Sequence, residues 1–131
     1  MKLKVKNLIK DFLEQKKFAV IGSFRNESKY AYRILKILKS KGYSVYPVNP
    51  HIKEVEGLIC YGSVKDIPVV CDVADIVTPP QVTERVVEEC KEKGISRVWL
   101  QPGAESDKAI KFCTDNDIKV VYNACLIWES K

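Results

Sequence analysis

The stretch Phe18–Tyr32 combines residue types that could hold an anionic ligand. The apolar run Phe18–Ile21 is followed by Gly22, then by polar residues and a helical pattern, which predicts a strand, a turn and a helix start. The first N–H groups of a helix lack partners within the helix and carry partial positive charge, so phosphates bind there. Gly22 would allow a ligand to approach the backbone, and Arg25 and Lys29 add cations that a helix start does not itself require.

The polar residues of this turn allow two interpretations. Ser23, Asn26 and Ser28 would either cap the helix or donate hydrogen bonds to a phosphate. A capped strand–helix connection with two solvated cations would explain the same stretch without any ligand. The residues of the turn alone do not separate these interpretations.

Composition restricts the class of protein. The 131 residues are 46% hydrophobic and 30% charged, which predicts a single globular domain over residues 1–131. A net charge of +5 is modest and spread along the chain, so we expect no nucleic-acid partner. No apolar run reaches the roughly 20 residues of a membrane helix, and we expect a cytoplasmic protein with no membrane association.

The five cysteines favour reduced thiols. Their number is odd, and they form no CxxC pair and have no histidine at ligand spacing. This argues against a disulfide framework and against a zinc site. Cys90 and Cys113 fall on the apolar faces of predicted helices, where a free cysteine acts as a small hydrophobic residue.

Strand and helix patterns alternate along the chain. An amphipathic helix is predicted over about residues 4–15, with its apolar stripe running from Val5 to Leu13. The predicted strands after the first are Tyr43–Val48, Val73–Val77, Arg97–Leu100 and Lys119–Tyr122, with helices over Lys29–Lys41, from Pro80 to Gly94, and from Ser106 to Asn116. A short extended piece near Leu58–Tyr61 and a helical turn near Val64–Ile67 are predicted between them, and residues 123–131 have no assignment.

This alternation predicts an α/β fold. The spacing suits right-handed crossovers, so we expect one doubly wound, Rossmann-like domain. It would have a five-stranded, mostly parallel sheet, helices on both faces and the extra N-terminal helix. Ligands of such sheets bind beyond the carboxyl ends of the strands, where the strand order reverses. The residues expected at that edge are 22–26, 49–53, 78–80, 101–104 and 123–125.

The turn after the first strand does not suit NAD. It reads GSFRNE where a dinucleotide fingerprint has GxGxxG, so two glycines are missing. The acidic residue that would hold a ribose hydroxyl after the second strand is also missing, because that position offers Val48, Asn49, Pro50 and His51. A nucleotide with an additional ribose phosphate, either NADP or coenzyme A (CoA), would be tolerated. The chemistry alone leaves both open.

Four segments in the same order resemble a known family. They are FAVIGSFRNESKYAYRILKILKSKGYSVYPVNP, EGLICYGSVKDIP, DIVTPPQVTERVVEEC and RVWLQPGAES, and the resemblance extends from about Lys17 to Cys125. The chain resembles the small stand-alone CoA-binding proteins, which are related to the CoA-binding domain of the succinyl-CoA synthetase α subunit. The resemblance implies a Rossmann-like domain that binds CoA.

By position, the resemblance also implies a set of contacts. Gly22, Ser23, Phe24, Arg25 and Lys29 would hold the phosphates; Val48, Asn49, Pro50 and Lys53 would border the adenosine and its ribose phosphate; Thr78 and Pro79 would flank the nucleotide; and Gln101 and Pro102 would meet the pantetheine arm. Cys125 follows the fifth strand, where it would either exchange with the thiol of CoA or be a buried structural cysteine.

No catalytic residue is predicted. The synthetase subunit in the resemblance uses a phosphorylated histidine in a second domain, whereas the single histidine here, His51, lies in the loop after the second strand. Three functions stay open: a CoA or acyl-CoA binding module that senses, carries or protects the cofactor, an NADP-linked oxidoreductase or redox sensor, and an interaction protein without a ligand. A homodimer is also compatible with the sequence.

Overall fold

A computed structural model describes residues 3–131, which form a mixed α/β architecture. The elements are α1 (Leu3–Leu13), β1 (Lys17–Gly22), α2 (Tyr30–Ser40), β2 (Ser44–Val48), β3 (Glu54–Val55), β4 (Leu58–Ile59), β5 (Val73–Val77), α3 (Pro80–Lys93), β6 (Arg97–Leu100), α4 (Asp107–Asp115), β7 (Lys119–Val121) and α5 (Leu126–Glu129). A single 3-10 turn, Val64–Asp66, precedes β5. Within the described residues, no helix combines the length and apolar character needed to cross a bilayer.

Five strands form one parallel sheet, as the sequence predicts. Their order is β2-β1-β5-β6-β7, and each pair of neighbours is parallel. The chain moves outward from β1 to β2, then returns across β1 to β5 and continues in the other direction. The strand order therefore reverses between β1 and β5, which is the point where ligands bind in doubly wound sheets.

Side chains of the sheet alternate between two hydrophobic cores. One core lies under α1, α2 and α5 and contains the buried rings of Phe12, Phe18 and Trp99. The other lies under α3 and α4 and contains residues such as Ile76 and Val98. Because helices cover both faces, the strands are apolar at nearly every position, as expected for a buried parallel sheet.

Helix α1 is fastened to the sheet by packing and by an ion pair. Ile9 and Phe12 are buried on its apolar face. Asp11 lies 2.9 Å from the Arg97 guanidinium and 3.6 Å from the Lys119 amine, at the starts of β6 and β7. The hydrogen bond from Arg97 is the main reason that the pKa of Asp11 lies below its usual value. The helix begins and ends earlier than predicted, at Leu3 and Leu13.

Elsewhere the elements agree with the sequence prediction or differ from it only locally. The bounds of β5 and β6 are as predicted, and Ser106 caps α4 by accepting a hydrogen bond from Ala109 N at 3.1 Å. The irregular segment after β2 forms a two-residue hairpin, β3–β4, which turns through positive φ at Glu56 and Gly57. The C-terminal residues without a prediction contain α5, which buries Leu126 in the core.

Candidate functional site

A cavity of about 460 Å³ opens at the carboxyl ends of β1, β2 and β5. This is the edge at which the strand order reverses, so the topology and the cavity indicate the same place. Its lining consists of Ile21, Gly22, Ser23, Val48, Asn49, Pro50, His51, Gly62, Val64, Val77, Thr78, Pro79, Val82, Arg85, Val86 and Glu89. Valine walls with a few polar groups at the rim are typical of small-molecule sites.

Seven of the residues named from the sequence come together in this lining: Gly22, Ser23, Val48, Asn49, Pro50, Thr78 and Pro79. Asn49 fixes the edge, because its Nδ2 donates to Gly22 O at 2.7 Å and its Oδ1 accepts from His51 N at 2.8 Å. The Thr78 hydroxyl lies 2.7 Å from that of the buried Thr83. Asn49 and Thr78 therefore hold the loops in place as well as lining the cavity.

Gly22 is explained by packing. A Cβ built on it would lie 2.7 Å from Ala31 Cβ on α2 and 2.7 Å from Val77 O on β5. Atoms at that separation overlap, so a larger residue would push α2 or β5 away. On the sequence alone, Gly22 is expected to allow a ligand to approach the backbone. The structure shows that the packing of β1 and β5 against α2 already requires a glycine at this position.

The first backbone N–H groups of α2 have no side-chain cap. Lys29 occupies the N-cap position, and no side chain caps the helix. Asn26 Oδ1 instead accepts from Ser28 N at 3.0 Å and from Ser28 Oγ at 2.5 Å, so the capping alternative considered for these residues is wrong. Arg25 is exposed and Lys29 half-buried, and neither takes part in an ion pair among residues 3–131.

The other residues named from the sequence lie outside the cavity lining. Phe24 is buried in the core under α2, so its side chain faces the protein interior. Lys53 is exposed in the loop before β3. Gln101 is fully buried directly after β6, and Pro102 beside it is exposed.

Gln101 belongs to a buried polar network. Its Nε2 donates to Asp75 Oδ1 at 2.5 Å, and its Oε1 accepts from Leu126 N at 3.0 Å and from the Tyr30 hydroxyl at 3.4 Å. Tyr30 Oη in turn contacts Cys125 Sγ. Burial raises the pKa of Asp75 to about 8, despite the opposing hydrogen bond from Gln101, and burial also raises the pKa of Tyr30.

The contribution of α3 to the cavity was not predicted from the sequence. Val82 and Val86 pack on the core under α3, and both also line the cavity together with Arg85 and Glu89. The signal was present, because positions 82, 85, 86 and 89 fall on one side of a helix that starts at the site loop. Glu89 is held by Ser63, whose Oγ donates to Glu89 Oε1 at 3.0 Å.

Comparison with known proteins identifies the family. A family profile described as "CoA binding domain" matches residues 16–131. The chain belongs to the CoA binding domain family. Its α/β fold is shared by a hypothetical protein from Pyrococcus horikoshii OT3, which is 34% identical with a TM-score of 0.91 over 97% of this chain and 89% of that one.

Curated relatives of this CoA binding domain include much larger enzymes. An ADP-forming acetate–CoA ligase II from Archaeoglobus fulgidus is 38% identical over 79% of this chain and 16% of the ligase, and one from Methanocaldococcus jannaschii is 42% identical over 61% of this chain and 11% of the ligase. The chain thus spans a small fraction of these ligases. An uncharacterized Bacillus subtilis protein, YneT, is 26% identical over 90% of this chain and 88% of its own length.

Proposed function

We propose that this chain is a CoA or acyl-CoA binding module that senses, carries or protects its ligand and has no catalytic residue of its own. The cavity at the strand reversal carries this proposal, because seven predicted contacts line it and its family is named for CoA binding. The acetate–CoA ligases among the relatives match this domain, which supports CoA as the ligand but not their reaction for this chain.

The residues present fit the nucleotide part of CoA. Val48, Val77 and Val82 give the cavity apolar walls on which an adenine could pack. At the rim, the open start of α2 offers backbone N–H groups that no side chain occupies, and this suits a pyrophosphate. Bound CoA would supply a thiol on a long arm; the chain itself supplies shape, backbone donors and cations.

Cations surround the cavity at three points. Arg85 lines it from α3, while Arg25 and Lys29 flank the start of α2. Three phosphate groups distinguish CoA from NAD, which has two, and the cations match the larger charge. We therefore propose that Arg25 and Lys29 neutralise the pyrophosphate and that Arg85, with Lys53 as an outer contact, serves the ribose phosphate.

Calorimetric titration of the purified protein with CoA, NADP and NAD tests the proposal. We expect CoA to bind clearly more tightly than either dinucleotide. Tighter binding of NADP would instead support the oxidoreductase or redox-sensor alternative. Absence of binding of all three at millimolar ligand would contradict a nucleotide site altogether.

Replacing Arg25 and Lys29 together by alanine is expected to weaken CoA binding roughly 10- to 100-fold, because each charge-assisted contact to a phosphate contributes about 1 kcal/mol or more. Arg33→Ala/Lys36→Ala is the matched control, since it removes the same charge from exposed positions further along α2. Titration of both variants with CoA is the measurement. An equal loss in the two variants would show that only net charge matters and would contradict the assignment.

A further inference from the structure

Four side chains form a polar cluster outside the cavity lining. Asp75, Gln101, Tyr30 and Cys125 are connected in that order by the contacts described above, and we call them the thiol cluster. They come from β5, the end of β6, the start of α2 and the residue before α5. Four separate parts of the chain thus converge at the carboxyl edge of the sheet.

Cys125 differs from the other cysteines in exposure. It is half-buried, whereas Cys60, Cys71, Cys90 and Cys113 are buried. Burial raises the pKa of Cys71 to about 12 and that of Cys113 to about 11, and it raises those of Cys60 and Cys90 as well. The four buried thiols are therefore inert towards disulfides, which react with accessible thiolates.

Asp75 is an independent indication that the cluster has more than a packing role. Its carboxyl is completely buried, and its Oδ2 is a buried side-chain atom without a hydrogen-bond partner in the described structure. It projects from the same face of β5 as Val73 and Val77, towards Gln101 and Tyr30. A buried polar atom without a partner is costly, so hydrophobic packing does not account for it.

The cluster and the cavity lie at the same edge of the sheet, at the ends of neighbouring strands. Val77 and Thr78 line the cavity at the end of β5, and Gln101 follows the neighbouring strand with its N–H donating to Ile76 O at 3.0 Å. Adjacent strands are about 4.8 Å apart. A ligand with its nucleotide in the cavity and a long arm that crosses the ends of β5 and β6 would bring the tip of that arm to Cys125.

We propose that Cys125 is a thiol-exchange site for the ligand of the cavity, an inference that rests on the proposed CoA binding. The Cys125 thiolate attacks a disulfide that contains CoA, the S–S bond of that disulfide breaks, and a new bond joins Cys125 Sγ to the CoA sulfur. The other half leaves as a thiolate and takes up the proton that Cys125 lost. One disulfide replaces another, so no further oxidant is needed.

Tyr30 is the positioning residue of this step. Its hydroxyl contacts Cys125 Sγ, and because burial raises its pKa the phenol keeps its proton at neutral pH. Its single proton is within reach of Gln101 Oε1 at 3.4 Å, and rotation of the hydroxyl would direct that proton to the attacking thiolate and stabilise the thiolate. Tyr32 lies two residues further along the same helix, but its hydroxyl donates to Glu56 Oε2 at 2.5 Å and takes no part in the cluster.

The test is incubation of the purified protein with CoA disulfide, followed by intact mass spectrometry before and after reductant. We expect a single adduct of one CoA, located on Cys125 by peptide mapping, removed by reductant and lost in Cys125→Ser. Tyr30→Phe should slow its formation about tenfold, while the CoA affinity of the variant, measured by titration, should stay near the wild-type value. Tyr32→Phe is the matched control and should react at the wild-type rate.

Three results would overturn the inference. The first is an adduct on the buried cysteines, and the second is an equally fast reaction with glutathione disulfide, which lacks the nucleotide. The third is the absence of an adduct in a protein that binds CoA by titration. That result would contradict the exchange site but not the proposed binding of CoA. A protein that neither binds CoA nor forms the adduct contradicts both proposals.

Discussion

The Asp75→Asn variant is expected to be more stable than the wild-type protein above neutral pH, with an upper bound on the order of 5 kcal/mol. Unfolded, the carboxyl ionises near its usual pKa of 3.8; folded, burial raises that pKa to about 8. Between these values the unfolded state has lost the proton and the folded state has kept it. The stability of the wild type therefore falls as pH rises through this range and levels off above it.

Asparagine keeps the rest of the network. Its Oδ1 can accept the hydrogen bond that Gln101 Nε2 now donates to Asp75, and it cannot ionise. The measurement is the free energy of unfolding in urea at about pH 5, 7 and 9 for both proteins. The difference between them should be small at the lowest pH and grow with each step.

Asp115→Asn is the control for this comparison. Asp115 is an exposed residue paired with Lys111 at 2.7 Å on α4, so its replacement should change stability little at any of these pH values. Parallel pH curves for wild type and Asp75→Asn would mean that the buried carboxyl is ionised with a partner in the folded state, which would contradict its raised pKa.

The environment of the buried Asp75 carboxyl could be predicted from the sequence only in part. Asp75 lies inside the strand Val73–Val77, which has the bounds predicted from its apolar residues. An acidic residue is unusual within a parallel strand that is covered on both faces, and this exception is visible in the sequence. The partners of Asp75 could not be predicted, because Gln101 and Tyr30 come close to it only when the strands take their order in the folded sheet.

The position of the cavity was predictable, and the direction of each side chain was not. Residues that follow parallel strands must share one edge, so Gly22, Asn49 and Thr78 were bound to lie close together. Phe24 follows the same strand as Gly22, yet it turns into the core. Sequence spacing fixes the place where a loop leaves a strand, but the conformation within the loop decides which residues face the cavity.

Among the short elements, β4 and the 3-10 turn Val64–Asp66 lie where an extended piece and a helical turn were predicted, whereas β3 and α5 were not predicted. The hairpin β3–β4 pairs only two residues on each strand, and α5 has four residues. Helical or strand periodicity needs a longer window to be recognised. Leu126 at the start of α5 is nevertheless fully buried, because tertiary packing against the first core and the hydrogen bond to Gln101 stabilise what local preference does not.

Gly22→Ala is expected to destabilise the fold by about 3 kcal/mol, near the upper end of the range for overpacked sites. The new methyl would overlap with Ala31 Cβ and with Val77 O, each 2.7 Å away. Neither can move alone, because Ala31 is part of α2 and Val77 O belongs to the backbone of β5. The expected result is a lower urea midpoint with a similar slope.

Gly62→Ala is the matched control, because Gly62 also lines the cavity but a Cβ there would have Asp66 Oδ2 at 3.6 Å as its nearest neighbour, an ordinary contact. We expect its stability to lie within about 1 kcal/mol of wild type. If Gly22→Ala were as stable as Gly62→Ala but had lost CoA affinity, ligand approach would be the reason for the glycine. If both properties are lost, the packing of α2 against β1 and β5 is what holds the cavity open, and the fold and the site depend on the same contact.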